Sequence, residues 1–218
     1  MDPVRGADGE AVTVAGGDPD VEIRLRAEPA EVKILAGQPT RVWSYRGEVL
    51  KGDPGAVQHI PGSYLGPILR FRTGQAVRIH FVNHLPEPSI VHWHGLHVPE
   101  AADGHPRLAI DPGETYVYDL PIVNRAGTYW YHPHPHGRTG PQVYNGLAGL
   151  LIVSDDEEQS AGLPASEYDL PLVLQDRTFD EHGQNISPAI TKYVVQDGKW
   201  VPWQDSEYAS GKRKLKRR

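Results

Sequence analysis

Five of the eleven histidines fall in two tight groups: His92 and His94 in VHWHGLHVP, and His132, His134 and His136 in TYWYHPHPHG. On an extended strand the side chains at i and i+2 leave the same face, so a His-x-His pair offers two imidazoles to one site without a turn. The residues His92, His94, His132 and His134 therefore form a candidate metal-ligand set. No carboxylate or thiolate lies beside them in sequence. Imidazole serves copper, zinc, nickel and iron, and an all-histidine set favours copper first and zinc second. A single HxH is weak evidence, since strand histidines are commonly surface residues or hydrogen-bonded members of a core. Two in one short stretch, both beside Trp and Gly, weigh against that reading.

The other histidines, His59, His80, His84, His97, His105 and His182, are scattered and read as solvated or structural. His97 follows the first pair but is expected on the opposite face. Trp93, Tyr129, Trp130 and Tyr131 are assigned to packing rather than to electron relay. Gly95 and Gly137 suit a sharp turn or close backbone approach near the site. Pro133 and Pro135 cannot donate ladder hydrogen bonds, so His134 and His136 are expected where the strand leaves its sheet. The chain has no cysteine, which excludes disulfides, thiolate zinc, iron–sulfur centres and any copper site built on a Cys sulfur within these residues.

Strands must hold these groups. From Val21, VEIRLRA alternates apolar and charged residues with period 2. Similar segments recur at Thr40–Tyr45, Ile68–Arg72, Ala76–Asn83, Ser89–Val98, Glu114–Leu120, Gly127–His134 and Ala148–Ser154. GDPG, RTGQ, HLPEP and DPGE separate them, and 23 Gly and 20 Pro fit a chain rich in turns. No apolar stripe at helical spacing is sustained. The expectation is all-β, an antiparallel sandwich or barrel.

In organisation, residues 1–20 read as a flexible N-terminus, 21–155 as the histidine-bearing domain and 156–169 as a linker. The apolar run LPLVLQ at Leu170 reads as the opening strand of a second, incomplete domain over 170–210, followed by a basic disordered tail at 211–218. The tail holds six of the 22 basic residues and leaves an acidic body, which offers little surface to a phosphate backbone. Nucleic acid is not an expected partner. No stretch approaches the roughly 20 apolar residues of a membrane span, and no export signal is visible at the N-terminus.

The succession VHWHGLHVP, a DG turn, PGETYVYDLP and AGTYWYHPHPHGRTGPQVYNGLAGLLIVSD resembles the first domain of multicopper oxidases, especially their bacterial laccase-like and cuprous-oxidase branch. The match runs over about residues 65 to 180. The resemblance implies a cupredoxin-like Greek-key β-sandwich whose four histidines supply half of a trinuclear copper cluster that reduces O2 to water. It assigns His92 to the type 2 copper and His94, His132 and His134 to the type 3 pair. His136 matches no ligand position. Asp103, in the DG turn, matches an acidic residue that assists proton delivery. In that family the remaining cluster histidines and the type 1 copper, with its cysteine, lie in the last domain, and nothing like them occurs here. The implied activity is oxidation of a phenolic or metal-ion substrate coupled to O2 reduction, with this chain inactive alone until a C-terminal cupredoxin domain or a partner subunit completes the site. The resemblance implies a periplasmic or secreted setting. Two other readings are a non-enzymatic copper-binding module completed by oligomerisation or a partner chain, and a zinc-dependent or cupin-like metalloenzyme. The last lacks the expected spaced acidic ligand and later single histidine.

Overall fold

Alternation in sequence becomes alternation in burial. In β1 (Val21–Val32), Val21, Ile23, Leu25 and Ala27 point inward and are at most 1% exposed, while Glu22, Arg24 and Arg26 face outward. The computed structural model describes residues 17–164 and 168–185, and the backbone of 193–196 and 199–202. β2 (Thr40–Lys51), β5 (Ala76–Asn83) and β7 (Thr115–Pro121) join β1 in a four-stranded sheet of order β2-β1-β5-β7. β3 (Val57–Gln58), β4 (Ile68–Arg72), β6 (Val91–His94), β8 (Gly127–Pro133) and β9 (Gly149–Ser154) form a second, five-stranded sheet of order β3-β4-β9-β8-β6.

The inner faces of the two sheets meet in one apolar core. Trp93 on β6 meets Tyr118 on β7 edge-on at 5.1 Å, and Tyr45 on β2 lies 5.3 Å from Tyr131 on β8. Both pairs cross from one sheet to the other, and such pairs add about 0.5–1.5 kcal/mol beyond their area burial. Burial raises the phenol pKa values of Tyr45, Tyr118 and Tyr131 well above the ordinary range, so these groups stay neutral.

The all-β cupredoxin-like sandwich is the observed fold, but it is not purely antiparallel. β1 pairs parallel with β5, and β4 parallel with β9. Parallel neighbours need a crossover, and the chain supplies it by visiting the opposite sheet between the two strands. Two short helices, α1 (Thr139–Tyr144) and α2 (Asp156–Ser160), are too brief to leave an apolar stripe in sequence. α2 lies in the expected linker and is capped by Asp155, whose Oδ1 accepts from Glu158 N at 2.8 Å. The segment expected as Ser89–Val98 forms a strand only over Val91–His94, because Gly95 at φ 90° turns the chain away.

The LPLVLQ run is not a strand. Residues 170–178 carry no ladder, and Leu170, Leu172 and Leu174 are 80%, 79% and 85% exposed. Instead the segment runs back along the sandwich, where Tyr64 Oη donates to Gln175 Oε1 and Thr178 N to Tyr144 Oη, both at 2.6 Å. A two-stranded hairpin, β10 (Tyr193–Gln196) with β11 (Lys199–Pro202), lies further on. At the other end, Asp20 is bound to β5 through Asp20 N to Ala76 O and Ala76 N to Asp20 Oδ2, each 2.8 Å. Residues 1–16 of the terminus expected to be flexible over 1–20, and the basic tail at 211–218, lie outside the described residues.

Candidate metal centre

The two His-x-His segments face each other across one antiparallel pair. The β6–β8 register sets His92 opposite His132, Trp93 opposite Tyr131 and His94 opposite Trp130. Period 2 sends Trp93 and Tyr131, both 0% exposed, into the core and the imidazoles onto the outer face. There the ring of His92 lies 5.5 Å from His94, 5.3 Å from His132 and 5.4 Å from His134, and His132 lies 5.5 Å from His94 and 5.9 Å from His134. His92, His94 and His132 each offer a nitrogen within 4.8 Å of the others. His134 borders this trio, and His136 is exposed on the following turn.

Backbone carbonyls fix two of the rings. His92 Nδ1 lies 2.7 Å from Asp103 O, and His132 Nδ1 lies 2.9 Å from Pro133 O. A carbonyl only accepts, so in the neutral rings Nδ1 carries the proton and Nε2 keeps its lone pair, the arrangement metal-binding imidazoles adopt. His94 Nδ1 and His132 Nε2 face each other at 3.3 Å. Two nitrogens bound to one tetrahedral ion at about 2.0–2.1 Å would stand about 3.3–3.4 Å apart. His134 Nδ1 is buried with no hydrogen-bond partner among the described residues. An orphaned buried nitrogen of this kind is destabilising by about 1–3 kcal/mol unless a ligand meets it. The donor set fits metal ions.

The surroundings favour neutral imidazole. His132 is 6% exposed, and burial drives its pKa down; the hydrogen bond to Pro133 O opposes this, and His92, His94 and His134 add to it, leaving a value of about 4. Trp130 stacks on His94 with centroids 5.0 Å apart and lies 4.2 Å from His132, walling one side of the cluster. Asp103 reaches His92 twice, since its Oδ1 also lies 3.2 Å from Nδ1.

Two residues that help build the site were not singled out from the sequence. Tyr118 Oη accepts from Val91 N at 2.9 Å and donates to Val91 O at 3.0 Å, gripping the residue before His92 from the opposite sheet. Gly104 has φ 75°, and a Cβ there would lie 1.9 Å from Val91 O. Only glycine lets the Asp103 turn press close enough to bond His92. A DG dipeptide is the available signal for such a turn; Tyr118 leaves none beyond its place on an alternating strand. His97 is exposed, and its backbone N donates to Asn124 Oδ1 at 2.8 Å.

Two packed Greek-key sheets with clustered imidazoles on one outer face define a cupredoxin-like metalloprotein. A family profile described as multicopper oxidase matches residues 41–158. Over 164 residues the chain is 37% identical to the multicopper oxidase mco of Staphylococcus aureus, covering 71% of this chain and 36% of that protein. It is 36% identical over 177 residues to the cell division protein FtsP of Sodalis glossinidius, covering 74% and 37%. Among solved structures, the McoA multicopper oxidase of the hyperthermophile Aquifex aeolicus superposes with a TM-score of 0.67 at 36% identity, covering 80% of this chain and 36% of that one. A laccase from Pediococcus acidilactici gives 0.66 at 33%, covering 87% and 40%. The chain belongs to the multicopper oxidase family, and it spans little more than a third of the length of the curated relatives above. Family membership implies copper as the metal. The absence of cysteine agrees with there being no type 1 site among these residues.

Proposed function

We propose that His92, His94, His132 and His134 hold copper and form one half of a trinuclear site at which a multicopper oxidase couples oxidation of a phenolic or metal-ion donor to reduction of O2. His92 serves the type 2 ion, and His94, His132 and His134 serve the type 3 pair. The observation that carries this reading is the 3.3 Å approach of His94 Nδ1 to His132 Nε2, with the tautomers of His132 and of neighbouring His92 fixed by backbone carbonyls. When bound, copper supplies redox equivalents and a place for O2. The chain's own residues keep the imidazoles neutral, orient them and shield them on one side with Trp130. We assign to Asp103 the delivery of protons from solvent; its side chain is 46% exposed and lies 3.2 Å from His92 Nδ1, which supports that role.

These residues include no thiolate for a type 1 centre and four of the cluster's ligands, so we expect no oxidase turnover from the chain alone. The remaining ligands would come from a C-terminal cupredoxin domain or a partner subunit. The likeness to a protein named for cell division supports a second reading, a copper-binding module without catalysis. The test is copper titration of the purified chain, followed by electron paramagnetic resonance and an oxidase assay on a phenolic donor. Bound copper with a type 2 signal, no blue absorption and no turnover is expected. Failure to bind copper would overturn the proposal, and turnover would show that copies of this chain complete the site between them. In the full-length protein, turnover separates the oxidase from the non-catalytic module.

A further inference from the structure

The β6–β8 ladder stops where the site needs it most. Val91 pairs with Pro133, which has no N–H to give, and His134 lies one residue beyond the last pair. Its backbone N donates to Ile90 O at 2.9 Å. Past that bond, side chains hold the two histidine segments together. Gln142, on α1, is 0% exposed. Its Oε1 accepts from Ser89 Oγ at 2.8 Å, and its Nε2 donates to Pro88 O and to Glu87 Oε1, each at 2.9 Å. Glu87 also takes a two-armed contact from Arg138, with Nε to Oε1 at 3.1 Å and Nη2 to Oε2 at 2.7 Å. Residues 87–89 lead directly into Ile90–His94, while Arg138 and Gln142 directly follow His132–His136. One buried amide therefore joins the chain entering the first pair of imidazoles to the chain leaving the second.

We propose that Gln142, braced by Glu87 and Arg138, is a positioning residue that sets where His134 stands relative to His92. The inference rests on the reading of the four histidines as copper ligands. It differs from a merely structural role in a definite way: loss of the amide should loosen one ligand, not the whole sandwich. A buried amide whose donor and acceptor are both satisfied rigidifies its surroundings, and residues that orient metal ligands typically change affinity 10–100-fold when lost.

The test compares Gln142→Leu, Glu87→Gln and, as a control in the other sheet, Ile79→Val, a fully buried position on β5. Hydrogen exchange of the His134 amide is followed in the metal-free chains, and Cu(II) affinity and the paramagnetic resonance spectrum in the loaded ones. For Gln142→Leu the expected results are His134 exchange at least about tenfold faster, a copper affinity about 10–100-fold weaker and altered hyperfine splitting. Glu87→Gln, which keeps an acceptor for Gln142 but releases the charge pairing with Arg138, should move the same readouts less, and it carries the test if Gln142→Leu does not fold. Ile79→Val should lower stability and leave all three readouts in place. Unchanged exchange and affinity in Gln142→Leu, or equal changes in Ile79→Val, would overturn the inference. If the wild-type chain binds no copper, the copper reading fails on its own, and His134 exchange still decides whether Gln142 holds that residue.

Discussion

Replacing His132 by Gln isolates the effect of the most buried imidazole on stability. In the folded chain burial lowers the His132 pKa to about 4, against about 6.5 for an exposed histidine. Between those values the unfolded chain binds a proton that the folded chain refuses, so stability rises with pH across the window. The contribution is fully present above pH 6.5 and is lost as pH falls toward 4. Each unit is worth about 1.4 kcal/mol, so the metal-free wild type should lose about 3 kcal/mol over the window through this group. Glutamine does not titrate. The assay is urea unfolding of both metal-free chains, in chelator, at half-unit steps from pH 7 to 4. Carboxylates titrate in both proteins and cancel in the difference, which should open with falling pH by about 3 kcal/mol in favour of His132→Gln. Parallel curves for the two proteins would refute the argument, because they would mean that His132 protonates as easily in the fold as in the unfolded chain.

Gly104→Ala should destabilise the chain by about 2–4 kcal/mol in urea and weaken copper binding, because the new methyl meets Val91 O while the backbone is held at φ 75°; a change under 0.5 kcal/mol would show that the turn can move aside. Tyr131→Phe strips Pro67 O of the phenol that donates to it at 2.7 Å inside the core, and a loss of about 1–3 kcal/mol at the denaturation midpoint is expected. Trp93→Ala, at a fully buried position between the two histidines of the first pair, should cost about 3–5 kcal/mol and broaden the copper signal. Added copper should raise the melting temperature in proportion to its binding, about 2.7 kcal/mol at a hundredfold excess over the dissociation constant; a chelator should reverse the shift, and His94→Ala should remove most of it.

Strands were legible where one face is buried and the other wet. Ile68–Arg72 and Ala76–Asn83 were bounded as they occur, because Gly, Pro and charge clusters punctuate a clean alternation. LPLVLQ shows the weakness of the same signal. An apolar run announces burial, yet these leucines are exposed and the segment is tied down by the polar Gln175 and the backbone of Thr178. Parallel pairing of β1 with β5 was not legible, since partners across a crossover leave no local trace. Within the site, period 2 put the two imidazoles of each HxH on one face, while the meeting of the two segments was legible only through the family resemblance. The support from Asp103 O, Tyr118 and Gln142 was not legible, because each acts through hydrogen bonds whose partners lie at sequence distances no pattern encodes.

One device explains how the strands position the candidate cluster. Along VHWH and WYH the residue between or beside the histidines is a large aromatic ring, and strand alternation drives that ring inward as surely as it drives the imidazoles outward. Trp93 and Tyr131 bind the two strands to the core, so apolar packing helps to set the positions of His92, His94 and His132. Metal binding then has little ordering entropy to overcome at these three rings. The fourth is different: His134 stands beyond the ladder, its Nδ1 has no hydrogen-bond partner among the described residues, and its backbone N donates to Ile90 O. If the four histidines hold copper as proposed, a loss of affinity is expected first at His134 and its polar braces, before it reaches the core.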